Sequence, residues 1–191
     1  MLLEMQVTGL TIDPANNAPI VILREKEGTR ILPIWVGVIE ASAIAFELEQ
    51  VKLTRPMTHD LLKTTIESLG GRVERVAIVD LKESTYFASV ILSREGQTIE
   101  LDARPSDAIA LGLRTKATIF CESRVLEEAH LRQATPAPAG EPVAATPAAR
   151  EESEEERGDG GPRPIVLAND SKSWLEVLES LDPKDFGKYK M

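Results

Sequence analysis

The sequence predicts an α+β fold, in which mostly antiparallel strands and three main helices form one compact domain over residues 1–130. Two periodicities indicate this class. In several short runs apolar and polar residues alternate, as in strands with one buried face, and in three longer runs apolar residues recur every three or four positions, as in amphipathic helices. Short turns separate most of the strand runs, so we expect most neighbouring strands to be antiparallel.

The first block of strands precedes the helices. Apolar and polar residues alternate from Leu3 to Val7, which predicts a strand with one buried face. Turn residues then precede two further apolar runs, which predict strands over 19–23 and 30–36. Short connections between the three predict an antiparallel meander.

Helical periodicity begins at Gly37. The first predicted helix has five apolar residues on its buried face: Ala41, Ile44, Ala45, Leu48 and Val51. The second covers 58–69, with Thr58 as a plausible N-cap, and its apolar stripe consists of Leu61, Leu62, Ile66 and Leu69. The third covers 105–114, where Pro105 suits the first helical position.

A second block of strands lies between and after these helices. Its predicted strands cover 72–80, 85–92 and 97–101. A short strand over 117–121 follows the third helix, and a charged turn or helix to about residue 128 completes the domain.

The composition limits the classes of function. The 191 residues carry a formal net charge of −9, so the chain lacks the broad basic surface of proteins that coat nucleic acid. Any binding of nucleic acid must therefore use local arginines or a metal ion. Cys121 is the only cysteine, the N-terminus does not resemble a signal peptide, and no apolar run is long enough for a membrane span. We expect a cytoplasmic protein without a membrane segment.

The composition changes after the domain. Ala, Pro, Gly and Glu dominate residues 131–172, which predicts a disordered linker that cannot bury enough apolar area to fold. Residues 173–191 regain apolar spacing and predict a short amphipathic tail peptide. This tail either docks on its own domain or on a neighbouring subunit, or it recruits another protein.

Two similar motifs carry most of the candidate chemistry. The segments 55–61 and 102–111 each place an arginine before a proline and an acid near a predicted helix start. Carboxylates can hold Mg²⁺ or Mn²⁺, histidine can act as ligand or base, and arginines can clamp phosphate oxygens. Phosphodiester hydrolysis uses all three roles. The candidate residues of these types are Glu40, Arg55, His59, Asp60, Asp102, Arg104 and Asp107.

A structural interpretation of the same residues stays open. Acids in the first turn of a helix complement its dipole, and residues near a helix start often serve only as caps. Arg55 and Arg104 can likewise form ion pairs with neighbouring acids. The sequence contains no Gly-rich phosphate loop, dinucleotide-binding fingerprint, zinc-ligand spacing or Gly-x-Ser-x-Gly elbow, so it does not support those four enzyme and binding classes.

Three motifs together resemble the bifunctional nuclease family. They are Leu32–Gly37 followed by Glu40, the run RPMTHDL over 55–61, and DARPSDAIALGLR over 102–114. The resemblance covers about residues 1–130 and keeps the order and spacing of the motifs. It implies a compact α+β domain that self-associates, and activity on RNA and DNA, which is described for plant members. Mapping the family motifs onto this chain nominates Glu40, Arg55, His59, Asp60, Asp102, Arg104, Ser106 and Asp107.

Three hypotheses follow. The first is a metal-assisted nuclease with RNA or DNA as its substrate. Its catalytic residues are His59 and Asp60 for proton transfer and Asp102 and Asp107 for metal or water positioning; Arg55, Arg104 and Ser106 bind substrate, and Asp102, Asp107 and Glu40 hold Mg²⁺ or Mn²⁺. The second is a non-enzymatic regulatory or scaffold protein that recruits a partner through its tail. The third is a small-anion sensor that uses the arginines at the helix starts.

Overall fold

The computed structural model describes residues 1–14 and 16–134 as one α+β domain. Seven strands form one sheet, and four helices pack on it, so the predicted fold class is confirmed. The strands are β1 (Leu2–Ile12), β2 (Pro19–Glu25), β3 (Ile31–Trp35), β4 (Gly71–Lys82), β5 (Thr85–Arg94), β6 (Gln97–Ala103) and β7 (Thr118–Glu122). The helices are α1 (Val38–Leu48), α2 (Thr58–Ser68), α3 (Pro105–Thr115) and α4 (Ser123–Ala134).

The sheet joins two antiparallel meanders through its last strand. Its order is β3-β2-β1-β7-β4-β5-β6, in which β7 pairs antiparallel with β1 and parallel with β4. Strand β7 thus has a neighbour on each side, and its side chains Ile119 and Cys121 are buried on one face of the sheet. The first meander agrees with the predicted one, although β1 extends well past Val7 to Ile12.

Helix α3 lies close against the sheet and contacts both α1 and α2. A glycine permits this approach, because a Cβ atom at Gly112 would lie 3.1 Å from Cγ2 of Val76. Burial of Ala108, Ile109 and Leu111 on α3 adds a continuous apolar layer to the core. The helix is therefore fixed in position over β4 and β7.

The N-terminal turn of α2 differs from the sequence interpretation. Met57, not Thr58, is the N-cap, and the carboxylate of Asp60 accepts a hydrogen bond from the Met57 N–H at 2.8 Å. Of the apolar stripe, only Ile66 packs against the core, whereas Leu61, Leu62 and Leu69 are exposed. Helix α2 is thus attached mainly through its first turn and Ile66.

The C-terminal part of the domain ends with a helix rather than a turn. Helix α4 continues to Ala134, so residues 131–134, which the sequence analysis assigned to the linker, are helical. The rest of the predicted linker and the whole predicted tail lie outside the described residues. No helix within the described ranges is both long and apolar enough to span a membrane.

Candidate functional site

The N-terminal turns of three helices meet on one side of the domain. Each helix carries an acid at its third position: Glu40 in α1, Asp60 in α2 and Asp107 in α3. Acids are favourable here because the unpaired N–H groups give a helix N-terminus a partial positive charge. Ion pairs and hydrogen bonds connect these first turns across the helices.

One cluster links all three helices through Arg104, the N-cap residue of α3. Arg104 donates from Nε to Oδ2 of Asp107 at 2.7 Å and from Nη2 to Oδ1 at 3.2 Å. It also donates from Nη1 to Oε1 of Glu40 at 2.9 Å. His59 of α2 joins through its Nε2, which lies 3.1 Å from Oδ1 of Asp107. We call Glu40, His59, Arg104 and Asp107 the three-helix cluster.

The three-helix cluster keeps Asp107 ionised. Burial raises the pKa of Asp107, but the hydrogen bonds from Arg104 and His59 and the attraction of their charges outweigh it, so the pKa lies below its ordinary value. The hydrogen bond to Asp107 raises the pKa of Arg104, which therefore stays charged. The carboxylate of Asp107 is thus an anion held in place by two hydrogen-bond donors, Arg104 and His59.

The ionised carboxylate determines the tautomer of His59. A carboxylate has no proton to donate, so the short contact with Asp107 requires a proton on Nε2 of His59. In the neutral ring, Nδ1 then carries the lone pair. No described residue forms a hydrogen bond with Nδ1, and the side chain is 11% exposed. His59 therefore presents an oriented basic nitrogen.

The start of α3 adds unused donors beside this ring. Arg104 makes three of the five hydrogen bonds that a guanidinium can donate, and its side chain is 66% exposed. The helix has no side-chain cap, and none of the described residues accepts from the N–H groups of Ser106 and Asp107. Such a helix start binds anions well.

A second ion pair, with a buried arginine, also joins α2 to α3; we call it the buried pair. Arg114 donates from Nε to Oδ1 of Asp60 at 2.6 Å and from Nη1 to the carbonyl oxygen of Ala110 at 3.0 Å. Burial raises the pKa of Asp60, but the hydrogen bonds from the Met57 N–H and Arg114 outweigh it and lower the pKa overall. This pair fastens the start of α2 to the end of α3.

The structure brings some of the nominated residues together and separates others. Glu40, His59, Arg104 and Asp107 form the three-helix cluster, and Asp60 lies next to it in the buried pair. Ser106 is buried in the first turn of α3. Arg55 is exposed in the loop before α2 and, among the described residues, has no ion pair. Its contribution to phosphate binding stays a prediction.

Asp102 lies on the other face of the sheet from α3. Val76 contacts α3 and pairs with Val90, and Val90 pairs with Leu101 of β6. Leu101 is therefore on the face of the sheet that α3 covers. Side chains alternate along a strand, which places Asp102 on the opposite face. Within the described residues Asp102 forms no ion pair. The structure thus does not bring it to Asp107.

The residues nominated as ligands of Mg²⁺ or Mn²⁺, which are Glu40, Asp102 and Asp107, are not arranged around a common position that a metal ion could occupy. The guanidinium of Arg104 lies between the carboxylates of Glu40 and Asp107, where a cation would need their oxygens. The part of the chain that the structure describes also contains no group of three or more His, Cys, Asp or Glu that could hold a metal ion. Metal dependence stays a prediction, and we derive no step through a metal.

Arg114 is a member of this region that was not predicted as a site residue. The residue was included in the family motif but received no role. One signal was present: Arg114 follows Asp107 by seven positions, about two helical turns, and therefore lies on the same face of α3. A charged residue on a face that contacts another helix indicates a buried partner, which is Asp60.

Comparisons with known proteins identify the family. The model of the bifunctional nuclease domain matches residues 21–134, which include the whole three-helix cluster. The chain belongs to the bifunctional nuclease domain family. Family membership was the central prediction from the three sequence motifs, and it is confirmed.

Relatives of two kinds share this bifunctional nuclease domain. An uncharacterised protein of Mycobacterium tuberculosis is 38% identical over 183 residues, covering 96% of this chain and 97% of the relative. Bifunctional nuclease 1 of Oryza sativa is 29% identical over 129 residues, covering 66% of this chain but 39% of the relative. Bifunctional nuclease 1 of Arabidopsis thaliana is 29% identical over 135 residues, covering 64% of this chain and 41% of the relative.

These matches show family membership without assigning an activity to this chain. The chain spans about two fifths of the plant nucleases, whereas it matches the mycobacterial protein almost throughout. Cytoplasmic location, self-association and capture of a protein by residues 173–191 stay predictions.

Proposed function

We propose that this chain is a nuclease that hydrolyses phosphodiester bonds of RNA or DNA at the three-helix cluster. One observation carries the proposal: an oriented histidine nitrogen without a protein partner lies beside an exposed arginine with unused donors, at the uncapped start of α3. The names of the plant relatives support it, because they describe nucleases that share this domain.

His59 is the general base in this proposal. Its Nδ1 takes a proton from the attacking water as the water oxygen forms a bond to phosphorus. The bond from phosphorus to the leaving oxygen breaks on the opposite side, that oxygen takes a proton from solvent, and the imidazolium releases its proton to solvent. General base catalysis of this kind contributes about 10²–10⁴-fold to a rate.

Arg104 and the start of α3 stabilise the phosphoryl group. Negative charge on the non-bridging oxygens grows in the transition state, and preorganised donors aimed at it lower the barrier. The two remaining N–H groups of Arg104 and the free backbone N–H groups of Ser106 and Asp107 are such donors. Phosphate contacts of this type bind nucleic acid without reading its sequence.

Asp107 and Glu40 are positioning residues. Asp107 fixes the tautomer of His59 and holds one edge of Arg104, and Glu40 holds the other edge. An acid that orients a histidine in this way keeps the proton-accepting nitrogen directed at the substrate. In the cluster, Glu40 and Asp107 bind the guanidinium of Arg104, and His59 binds Asp107.

The decisive experiment compares the two histidines of the chain. We expect the purified protein to degrade single-stranded RNA or DNA, and we expect His59→Gln to reduce the rate about 10³-fold. His130→Gln on α4 is the matched control and should keep full activity. Assays with added Mg²⁺, added Mn²⁺ and EDTA test the separate prediction of metal dependence.

Two results would contradict the proposal. Equal degradation by the wild type and His59→Gln would identify a contaminating nuclease, because the same trace activity would accompany both preparations. Equal loss in His59→Gln and His130→Gln would indicate that general disruption of the fold, rather than loss of the base, lowers the rate.

A further inference from the structure

A cavity of about 290 Å³ opens next to the three-helix cluster. It lies between the end of α1, the loop over 51–57 and the first turn of α2, and Arg114 of α3 contributes to its lining. Its volume is at the small end of the range for ligand pockets, which begins at about 300 Å³. A single small ligand unit fits this size, whereas an oligomeric one does not.

About half of the wall of this cavity is apolar. Phe46 contributes an aromatic ring, and Val51, Leu53 and Met57 contribute aliphatic or thioether surface. Leu53 is 49% exposed, so the apolar lining reaches the mouth of the cavity. Aromatic rings and sulfur atoms are favourable contacts for a flat, polarisable ring such as a nucleobase.

Two guanidinium groups offer donors to a ligand in this cavity. Arg55 is exposed and, among the described residues, has no ion pair. Arg114 is 6% exposed and uses Nε for Asp60 and Nη1 for Ala110, which leaves Nη2 without a described partner. Because Arg114 lines the cavity, a ligand oxygen there can accept a hydrogen bond from Nη2.

We propose that this cavity binds one nucleotide unit. The base packs against Phe46 and the apolar walls, Arg114 donates to an acceptor on the base, and Arg55 binds the phosphate. Glu47 also lines the cavity and can accept from an N–H group of the base. The lining thus matches a molecule with an apolar ring, hydrogen-bonding edges and one anionic end.

The position of the cavity connects it to the nuclease site. Asp60 lines the cavity, and the adjacent residue His59 belongs to the three-helix cluster. A nucleotide in the cavity would therefore precede or follow a phosphodiester held at the cluster. This role as a substrate subsite rests on the proposed function, whereas nucleotide binding itself does not.

The test is calorimetric titration of the full-length His59→Gln variant with GMP, since this variant prevents turnover. GMP is a suitable probe because its base has both donors and acceptors. We expect Arg55→Ala in this background to weaken GMP binding about tenfold, the effect of losing about 1.4 kcal/mol of binding energy. Arg72→Ala removes another exposed arginine and should leave the affinity unchanged.

A longer ligand distinguishes two natural sources of the nucleotide, and inorganic phosphate serves as the control for specificity. A 5′-phosphorylated hexanucleotide that binds more tightly than GMP would indicate the end of a strand. Equal affinities would indicate a free nucleotide. Either result supports the cavity as a nucleotide site, provided that inorganic phosphate binds at least tenfold more weakly than GMP.

The inference is overturned if GMP does not bind at millimolar concentration, if inorganic phosphate binds as tightly, or if Arg55→Ala and Arg72→Ala behave alike. These results are independent of the nuclease assay. Loss of the proposed function would appear as undiminished degradation by His59→Gln, and loss of this inference as absent or nonspecific GMP binding.

Discussion

Asp60 and Asp107 occupy the same position in two helices and bind the same kind of partner, yet their surroundings differ. Each is the third residue of its helix, and each accepts from an arginine of α3. The side chain of Arg114, which binds Asp60, is 4% exposed, whereas that of Arg104, which binds Asp107, is 66% exposed. The comparison teaches that burial of the arginine, not the local motif, distinguishes an ion pair that stabilises the fold from one that is available to a substrate.

The physical reason is the different cost of losing a partner. Breaking a buried pair leaves a charge without solvent or counterion, which destabilises a fold by about 3–5 kcal/mol. The pair of Arg104 contributes only about 0–1 kcal/mol, because water solvates its exposed guanidinium when the partner is lost. The Asp107–Arg104 pair is therefore of little importance to stability, and its donors remain available to a substrate.

Of the variants that test this comparison, we expect substitution of Arg104 to have the largest effect on activity. We expect Arg104→Ala to lower kcat/KM for nucleic acid about 10²–10³-fold, because preorganised donors to the phosphoryl group are lost. The urea midpoint should change little. A large loss of stability with retained activity would reverse the roles that we assign.

Arg114 provides the opposite case. We expect Arg114→Met to destabilise the domain by about 1.5–3 kcal/mol, the range for a hydrogen bond to a charged group, since Asp60 is partly exposed and keeps its hydrogen bond from the Met57 N–H. Urea unfolding measures the effect, with Arg104→Met as the control. Equal midpoints for the two variants would break the comparison.

Acid should weaken the fold through both acids, and more through Asp60 than through Asp107, whose partner arginine is exposed. Each has a folded-state pKa below its ordinary value, so its contribution is present above the unfolded pKa of about 3.9 and is lost as the pH falls through the folded pKa. We expect the free energy of unfolding to decrease below about pH 4. Unfolding curves at pH 7 and pH 3 should differ less in a variant with Asp60→Asn and Asp107→Asn.

An unchanged difference in that double variant would show that other groups control acid unfolding. This effect is smaller than the previous two because several further carboxylates, such as Glu25 and Asp80, also have lowered pKa values and titrate in the same range.

Much of the fold follows from local patterns. The alternating run from Leu3 and the helical spacing after Gly37 predict β1 and α1, since each element buries one face. The position of β7 between β1 and β4 is not predictable in this way. It depends on long-range pairing of 118–122 with two strands distant in sequence.

The site was predictable in its members but not in its geometry. His59, Arg104 and Asp107 follow from helix starts that carry reactive residue types. Asp102 was expected with them, but strand alternation places it on the opposite face of the sheet. The exposure of Leu61 and Leu69 likewise depends on how α2 is oriented, which its own sequence does not specify.

The most direct test of the account places the two acids side by side. Asp107→Asn and Asp60→Asn are isosteric changes at matched helix positions, and both activity and urea midpoint are measured for each. We predict that Asp107→Asn loses about 10³-fold in kcat/KM with a nearly unchanged midpoint, and that Asp60→Asn lowers the midpoint while most activity remains. Parallel losses of activity and stability in both variants would contradict the division between the three-helix cluster and the buried pair.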